Sequence, residues 1–357
     1  MVDLDLVAAN YAALKRAAPW AKIYYAVKAN PAPPILSALN RLGSYFDAAS
    51  IYEIAQCLEL GVTPDRLSYG STIKKQRDIT AAFARGVGLF AFDSLAELEK
   101  LAIAAPGARV YCRILMDGAG ADWPLSDKFG CDGPMAAELL SRADDLGLDP
   151  AGVSFHVGSQ QRDPGQWDIA LARTAEVFAA LKPSGIAPGM INLGGGFPAR
   201  TQSDIAPLDD YGRAMKSAVH RHFGDMKLEL IVEPGRGIVG DAGLIRSEIV
   251  LISRKFRGAA RRWVYLDVGM FGGLPETMGE AIKYRIRTPR DGGPTGPVVL
   301  AGPTCDEVDV LYDEADYRLP LDLEIGDKIE ILSAGAYTAT YASIGFNGFP
   351  PLREYYI

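Results

Sequence analysis

The chain has 357 residues, 48% hydrophobic and 23% charged, enough to bury the core of one large domain and a smaller second one. A net charge of −7 argues against nucleic acid or an anionic membrane as the main partner. No apolar run approaches the roughly 20 residues that span a bilayer. The opening stretch MVDLDLVAANYAALKRAAP carries two acidic residues and a helical period, so it reads as a helix and not as a secretory leader. Cys57, Cys112, Cys131 and Cys305 are scattered, with no CxxC and no histidine cluster beside them. Neither a disulfide framework nor a metal site is expected, and the cytoplasm is the expected compartment.

From there to about residue 240, short β-branched or aromatic runs alternate with Ala/Leu-rich segments. The runs are 23–27, 44–48, 66–70, 89–93, 110–115, 153–157, 190–194 and 229–233. Helical patterns such as 51–61 and 95–105 lie between them. Eight strands with room for crossover helices is the count of a (β/α)8, TIM-like barrel. We therefore expect the barrel over residues 1–240 and a second domain over 241–357.

After residue 240 the texture changes. SEIVLISRKF, RWVYLDVG, GPVVLAG and DKIEILSAG are short alternating strands divided by Gly, Pro and Asp, which predict a smaller antiparallel β domain. Gly326-Asp327, between two apolar-alternating halves of residues 323–331, predicts a hairpin. Residues 290–297 read as a loop.

In a barrel, residues at the C-terminal ends of the strands face the active site. Lys28 follows strand one and Asp47 lies on strand two. Arg113 is within strand five and His156 near the end of strand six. Strand seven runs into Gly194-Gly195-Gly196, and strand eight into Glu233-Pro234-Gly235-Arg236. Each has a plain structural explanation: a solvated strand-end lysine, a satisfied core histidine, a tight turn, a surface ion pair. Gathered on one rim, they point to a site.

Consecutive glycine amides beside Arg236 form an anion cradle suited to phosphate. A buried lysine next to it can lose its proton and react with a carbonyl. Glu233 can hold a ring nitrogen protonated, and His156 can stack on the ring. A phosphate, an aldehyde and a basic ring nitrogen together describe pyridoxal 5′-phosphate.

YAVKAN, FDAAS, FHVGSQ, GGGFP, EPGR, GPTCDEVD and GAYT occur in an order that resembles the fold-type III pyridoxal-phosphate decarboxylases of basic amino acids, most nearly the ornithine decarboxylases. The resemblance runs from about residue 3 to residue 350. It implies an alanine-racemase-like barrel followed by a β domain. Lys28 would be the lysine that carries the cofactor, His156 the residue stacked on its ring and Glu233 the partner of the ring nitrogen. Ser159, Gly194, Gly195, Gly196, Gly235, Arg236 and Tyr337 would hold the phosphate, with Asp47 and Arg113 lining the cofactor near Lys28.

The resemblance also implies a head-to-tail homodimer in which Cys305 and Asp306 complete the partner's site, Cys305 as proton donor and Asp306 as ligand of the substrate's distal ammonium. Lys128 and Asp309 match a cross-subunit ion pair. The implied reaction is decarboxylation of L-ornithine to putrescine, with L-lysine as the alternative. Arginine or diaminopimelate decarboxylation, racemisation and a non-catalytic binding role rank lower. Cys305-Asp306 counts against a racemase and against diaminopimelate, and the presence of Lys28 and Cys305 counts against a non-catalytic homologue. Where ornithine decarboxylases carry a second substrate aspartate this chain has Val268, with Asp267 one residue earlier, which leaves ornithine and lysine both open. Phe346 is the expected pocket wall. Because the chain starts close to its first helix, an N-terminal β strand of the relatives is expected to be absent.

Overall fold

The eight expected strands form in a computed structural model that describes residues 1–123 and 125–357. They are β1 (Lys22–Ala26), β2 (Tyr45–Ala48), β3 (Leu67–Tyr69), β4 (Leu89–Phe92), β5 (Arg109–Arg113), β6 (Asp149–Ser154), β7 (Met190–Asn192) and β8 (Glu229–Val232). Each pairs in parallel with its sequence neighbour, and β1 pairs with β8 through Lys22↔Ile231 and Ile23↔Val232, closing the barrel. Side chains alternate in and out of such a wall. Tyr24, Leu89, Ala91, Tyr111, Met190 and Ile231 pack together as one buried cluster contributed by strands around the barrel.

The crossover helices begin where the residues can satisfy their free amides. Ser50 caps Ile51–Glu59 by accepting from the Glu53 amide at 3.2 Å, and Asp132 caps Gly133–Asp145 through the Met135 amide at 2.8 Å. The segments expected to be helical at the N-terminus, at 51–61 and at 95–105 fold as Leu4–Ala17, Ile51–Glu59 and Leu95–Ala104.

The chain divides into two units. The barrel unit is Ala8–Pro198 with Ile205–Gly237, and the β unit is Ile238–Ile357 with Met1–Val7 and Ala199–Asp204. At the start of the chain only an isolated bridge forms, Val2 pairing with Tyr356 and Gly243.

The β unit is built on β9 (Leu244–Ser253), β10 (Arg262–Leu266), β11 (Ile286–Arg287), β12 (Thr295–Ala301), β13 (Val310–Tyr312), β14 (Arg318–Pro320) and β15 (Lys328–Leu332). Its ladders are antiparallel except for β10 and β12, which run parallel through Arg262↔Val298 to Tyr265↔Ala301, so the sheet is mixed. Ile249, Val264, Leu266, Leu300, Leu311 and Ile329 are among its fully buried core.

The hairpin expected over 323–331 does not form. Asp327 turns back onto Glu324, accepting its amide at 2.9 Å, and Arg290 binds both carboxylates. That leaves β15 to pair with β9 and β11 instead. The loop expected at 290–297 is shorter, because β12 already begins at Thr295. Among the described residues no helix is long and apolar enough to cross a membrane.

Candidate active site

Barrel register sets the site before any side chain is considered. Ala26 stands opposite Asp47 and Asp47 opposite Ser68, while Arg113, Ser154 and Asn192 lie in one row across β5, β6 and β7. Past β1 the chain tightens into a single 3-10 turn, Val27–Ala29, in which Val27 and Ala29 are buried and Lys28 is exposed. The lysine expected to be buried is therefore held out of its wall by two apolar neighbours that anchor the turn.

Asp47 is buried, and its Oδ1 accepts from Ser68 Oγ at 2.8 Å. A Cβ at Gly70 would fall 1.9 Å from that oxygen, so only glycine leaves room for it. Burial raises the Asp47 carboxyl, opposed by the positive charges of Lys28 and Arg113. Burial and the nearby Asp47 push Glu233 up to about 7, against the pull of Lys28, Asn192 and Arg113. Two carboxylates and two cations thus share one rim. Tyr111 lies beside them, its phenol held well above its ordinary value by burial and then by Glu233 and Asp47.

His156 lies two residues past the end of β6. Its Nδ1 accepts the Gly158 amide at 3.0 Å, which assigns the proton of the neutral ring to Nε2. Burial, Arg113 and Lys28 hold the imidazole well below its usual range. A neutral ring is the form suited to lie on another flat ring without carrying charge there. Arg113 packs over Phe129 at 5.3 Å.

The glycine run is a cradle in which a methyl group has no place. At Gly194 (φ 66°) a Cβ would meet the Phe155 carbonyl oxygen at 2.0 Å, and at Gly196 (φ 99°) the Gly158 oxygen at 2.6 Å. At Gly195 it would lie 2.7 Å from the Glu233 backbone carbonyl oxygen and 3.1 Å from His156 Nε2. The Gly194 amide is already committed to Asn192 Oδ1 at 3.0 Å. Arg236 is buried, and its guanidinium donates to Ser159 Oγ at 3.2 Å. Buried arginine, serine and glycine backbone together form the donor set that a phosphate requires.

These side chains and the no-Cβ loop fit a phosphorylated pyridine aldehyde. Over residues 4–240 the sequence matches the family described as "Pyridoxal-dependent decarboxylase, pyridoxal binding domain". The chain belongs to the pyridoxal-dependent decarboxylases. It is similar to the lysine/ornithine decarboxylase of Selenomonas ruminantium, 36% identical over 352 residues that cover 98% of this chain and 86% of that protein. It is similar to the ornithine decarboxylase of Schizosaccharomyces pombe at 34% over 349 residues, 95% of this chain and 78% of that protein. Among solved structures, SrLDC in complex with PLP and cadaverine matches with a TM-score of 0.87 at 34% identity, covering 98% of this chain and 88% of that one. The decarboxylase is a carboxy-lyase that uses pyridoxal 5′-phosphate.

Gly235, directly before Arg236, and Lys128, whose Nζ lies 5.1 Å from the centre of the Phe129 ring, also fall in the barrel unit, and the other expected residues of the decarboxylase belong to the β unit. Cys305 is exposed, and its amide donates to Asn347 Oδ1 at 2.7 Å. Asp306 Oδ1 accepts the Val308 amide at 2.9 Å. Asp309 is buried, taking the Met270 amide at 2.7 Å on one oxygen and the Thr304 amide and hydroxyl on the other. Asp267 Oδ1 accepts from Ser247 Oγ and from the Glu248 amide, and Val268 is in the core. Phe346 packs on Phe271 with ring centroids 4.9 Å apart. Tyr337 adopts φ 55°, a left-handed backbone unusual for a tyrosine.

Asn192, Ser68, Tyr111 and Phe129 were not singled out from sequence. Asn192 carries the same signal as Lys28, a polar residue at the end of an apolar strand. Ser68 and Tyr111 become visible only when neighbouring strands are aligned, and Phe129, in a bend outside the strands, only through its contact with Arg113.

Proposed function

We propose that the decarboxylase converts L-ornithine to putrescine, an entry step to polyamines, in the cytoplasm and as a head-to-tail homodimer. In this reading residues 1–240 bind the cofactor, and the β domain, 241–357, completes the partner's site. The observation that carries the substrate is the Cys305-Asp306 pair, an exposed thiol followed by a short carboxylate braced by the Val308 amide.

Lys28 would hold the cofactor's aldehyde carbon. Ser159, Gly194, Gly195, Gly196, Gly235 and Arg236 would hold its phosphate, with Tyr337 assigned to it by the resemblance. His156 would lie against the ring, Asp47 and Arg113 would line it, and Glu233 would hold the proton at the ring nitrogen. Pyridoxal phosphate, when bound, supplies the conjugated system that takes up the electron pair left by departing carbon dioxide. Cys305 gives its thiol proton to the substrate's α-carbon, and Asp306 receives the distal ammonium.

L-Lysine decarboxylation to cadaverine is the second reading, favoured by two observations. Asp267 is already engaged by Ser247 and Glu248, leaving the distal amine to Asp306 and to packing by residues such as Phe346. One methylene is worth only about 1–3 kcal/mol of discrimination in a pocket of this kind. A relative named lysine/ornithine decarboxylase is in keeping with it.

The test is carbon dioxide release from L-ornithine, L-lysine, L-arginine and meso-diaminopimelate, with D306A alongside. Ornithine should lead, and D306A should lose about 10-fold or more in kcat/KM, the worth of a hydrogen bond to a charged group. A lysine preference would put the second reading first. Preference for arginine or diaminopimelate, or an unaffected D306A, would overturn both.

A further inference from the structure

Asn192 ends β7 and is 1% exposed. Its side chain works in two directions, with Oδ1 accepting the Gly194 amide at 3.0 Å and Nδ2 donating to Glu233 Oε1. The Glu233 amide in turn donates to the Gly194 carbonyl at 2.8 Å. A closed set of contacts therefore joins the carboxylate to the first residue of the glycine loop.

A carboxamide offers a donor and an acceptor on separate atoms without charge. Aspartate at this position would still accept from Gly194, but it would set a further negative charge against Glu233. The charged and titratable groups already around Glu233 are Lys28 after β1, Asp47 on β2, Tyr111 and Arg113 on β5, and His156 after β6. Alanine would leave the buried Gly194 amide and the carboxylate without this link.

We infer that Asn192 is a positioning residue that locks the Glu233 carboxylate to the glycine loop, so that recognition of the cofactor's ring nitrogen and of its phosphate is coupled through one side chain. This rests on the reading that Glu233 faces the ring nitrogen and the glycine loop the phosphate.

The test titrates cofactor-stripped wild type, N192A, N192D, E233A and N192A/E233A with pyridoxal 5′-phosphate and with phosphate-free pyridoxal, following the visible absorbance over a pH series. N192A should bind pyridoxal 5′-phosphate about tenfold more weakly. Its loss should overlap with that of E233A in the double variant, because the two act as a unit. The preference for the phosphorylated form over pyridoxal should shrink in E233A as well as in N192A. N192D, nearly isosteric, carries the test if N192A does not fold. Its absorbance transition should move up by about half a pH unit or more, as a second carboxylate disfavours ionisation of Glu233.

Additive losses, or an N192D transition that coincides with wild type, would overturn the inference. If E233A itself alters neither binding nor absorbance, the reading of Glu233 fails and the inference falls with it. If E233A alters both and neither Asn192 variant does, the inference alone fails.

Discussion

Replacing Glu233 with glutamine should stabilise the cofactor-free protein at alkaline pH while removing its activity. Burial and the adjacent Asp47 raise Glu233 from its ordinary 4.5 to about 7. The folded state thus binds this proton more tightly than the unfolded chain does. Glu233 imposes no cost while protonated in both states, below pH 4.5, and stability is lost as pH rises from there through about 7. A rise of that size corresponds to about 3 kcal/mol at pH 8. Glutamine cannot ionise, yet its carbonyl can still accept from Asn192 Nδ2, the bond that Glu233 makes now. Asp47 remains in both proteins, and relieving it of a negative neighbour acts in the same direction.

Urea unfolding of the cofactor-free protein at pH 5, 6, 7 and 8 would measure this. E233Q should match wild type within about 1 kcal/mol at pH 5 and exceed it by up to about 3 kcal/mol at pH 8. A difference that is flat across the series, or a wild type that is the more stable at pH 8, would refute the burial argument. The same substitution should abolish most turnover, the usual opposition between a stable barrel and a charged site.

Three further outcomes follow from particular contacts. G194A should lose about 2 kcal/mol or more of stability together with cofactor affinity, because its Cβ would meet the Phe155 oxygen at 2.0 Å. Differential scanning calorimetry against G107A, where φ is 75° and a Cβ meets nothing within 4 Å, separates steric clash from backbone strain. Lys74 pairs with Glu97 at 2.9 Å, their side chains 0% and 3% exposed, and burial lowers the lysine to about 8. Lys100 also pairs with Glu97, so K74M, which leaves that carboxylate with one cation, should cost about 1–3 kcal/mol in urea unfolding. Finally, K28A and C305A, each inactive alone, should regain about a quarter of wild-type activity when unfolded and refolded together, since half the dimers would then hold one intact site of two. No recovery would refute the shared site.

Much of the barrel was legible because its cause is local. Strands β1 to β8 are short apolar runs between amphipathic segments, and each appears within a few residues of its expected position. The rim residues stand out for the same reason: Asp47 and Arg113 lie within apolar strands, Lys28 and Glu233 just after them, and the rule about strand ends points from such positions to a site. The failed hairpin at 323–331 shows the limit. Gly326-Asp327 is a genuine turn, but β15 gains more by pairing with β9, whose ten residues lie far upstream, than by folding onto its own neighbour.

By itself, then, the sequence determined the alternation that makes a parallel barrel, the change of texture near residue 240 and the motifs that mark a pyridoxal-dependent decarboxylase. All of these are encoded in residues close together in the chain. Tertiary structure alone decided which distant residues meet. Closure of β1 on β8 joins Lys22 to Ile231, the β10–β12 pair runs parallel, and Asn192 reaches Glu233 and Gly194 at once. Register and side-chain reach are properties of the closed barrel, and they exist only after strands far apart in sequence have found one another.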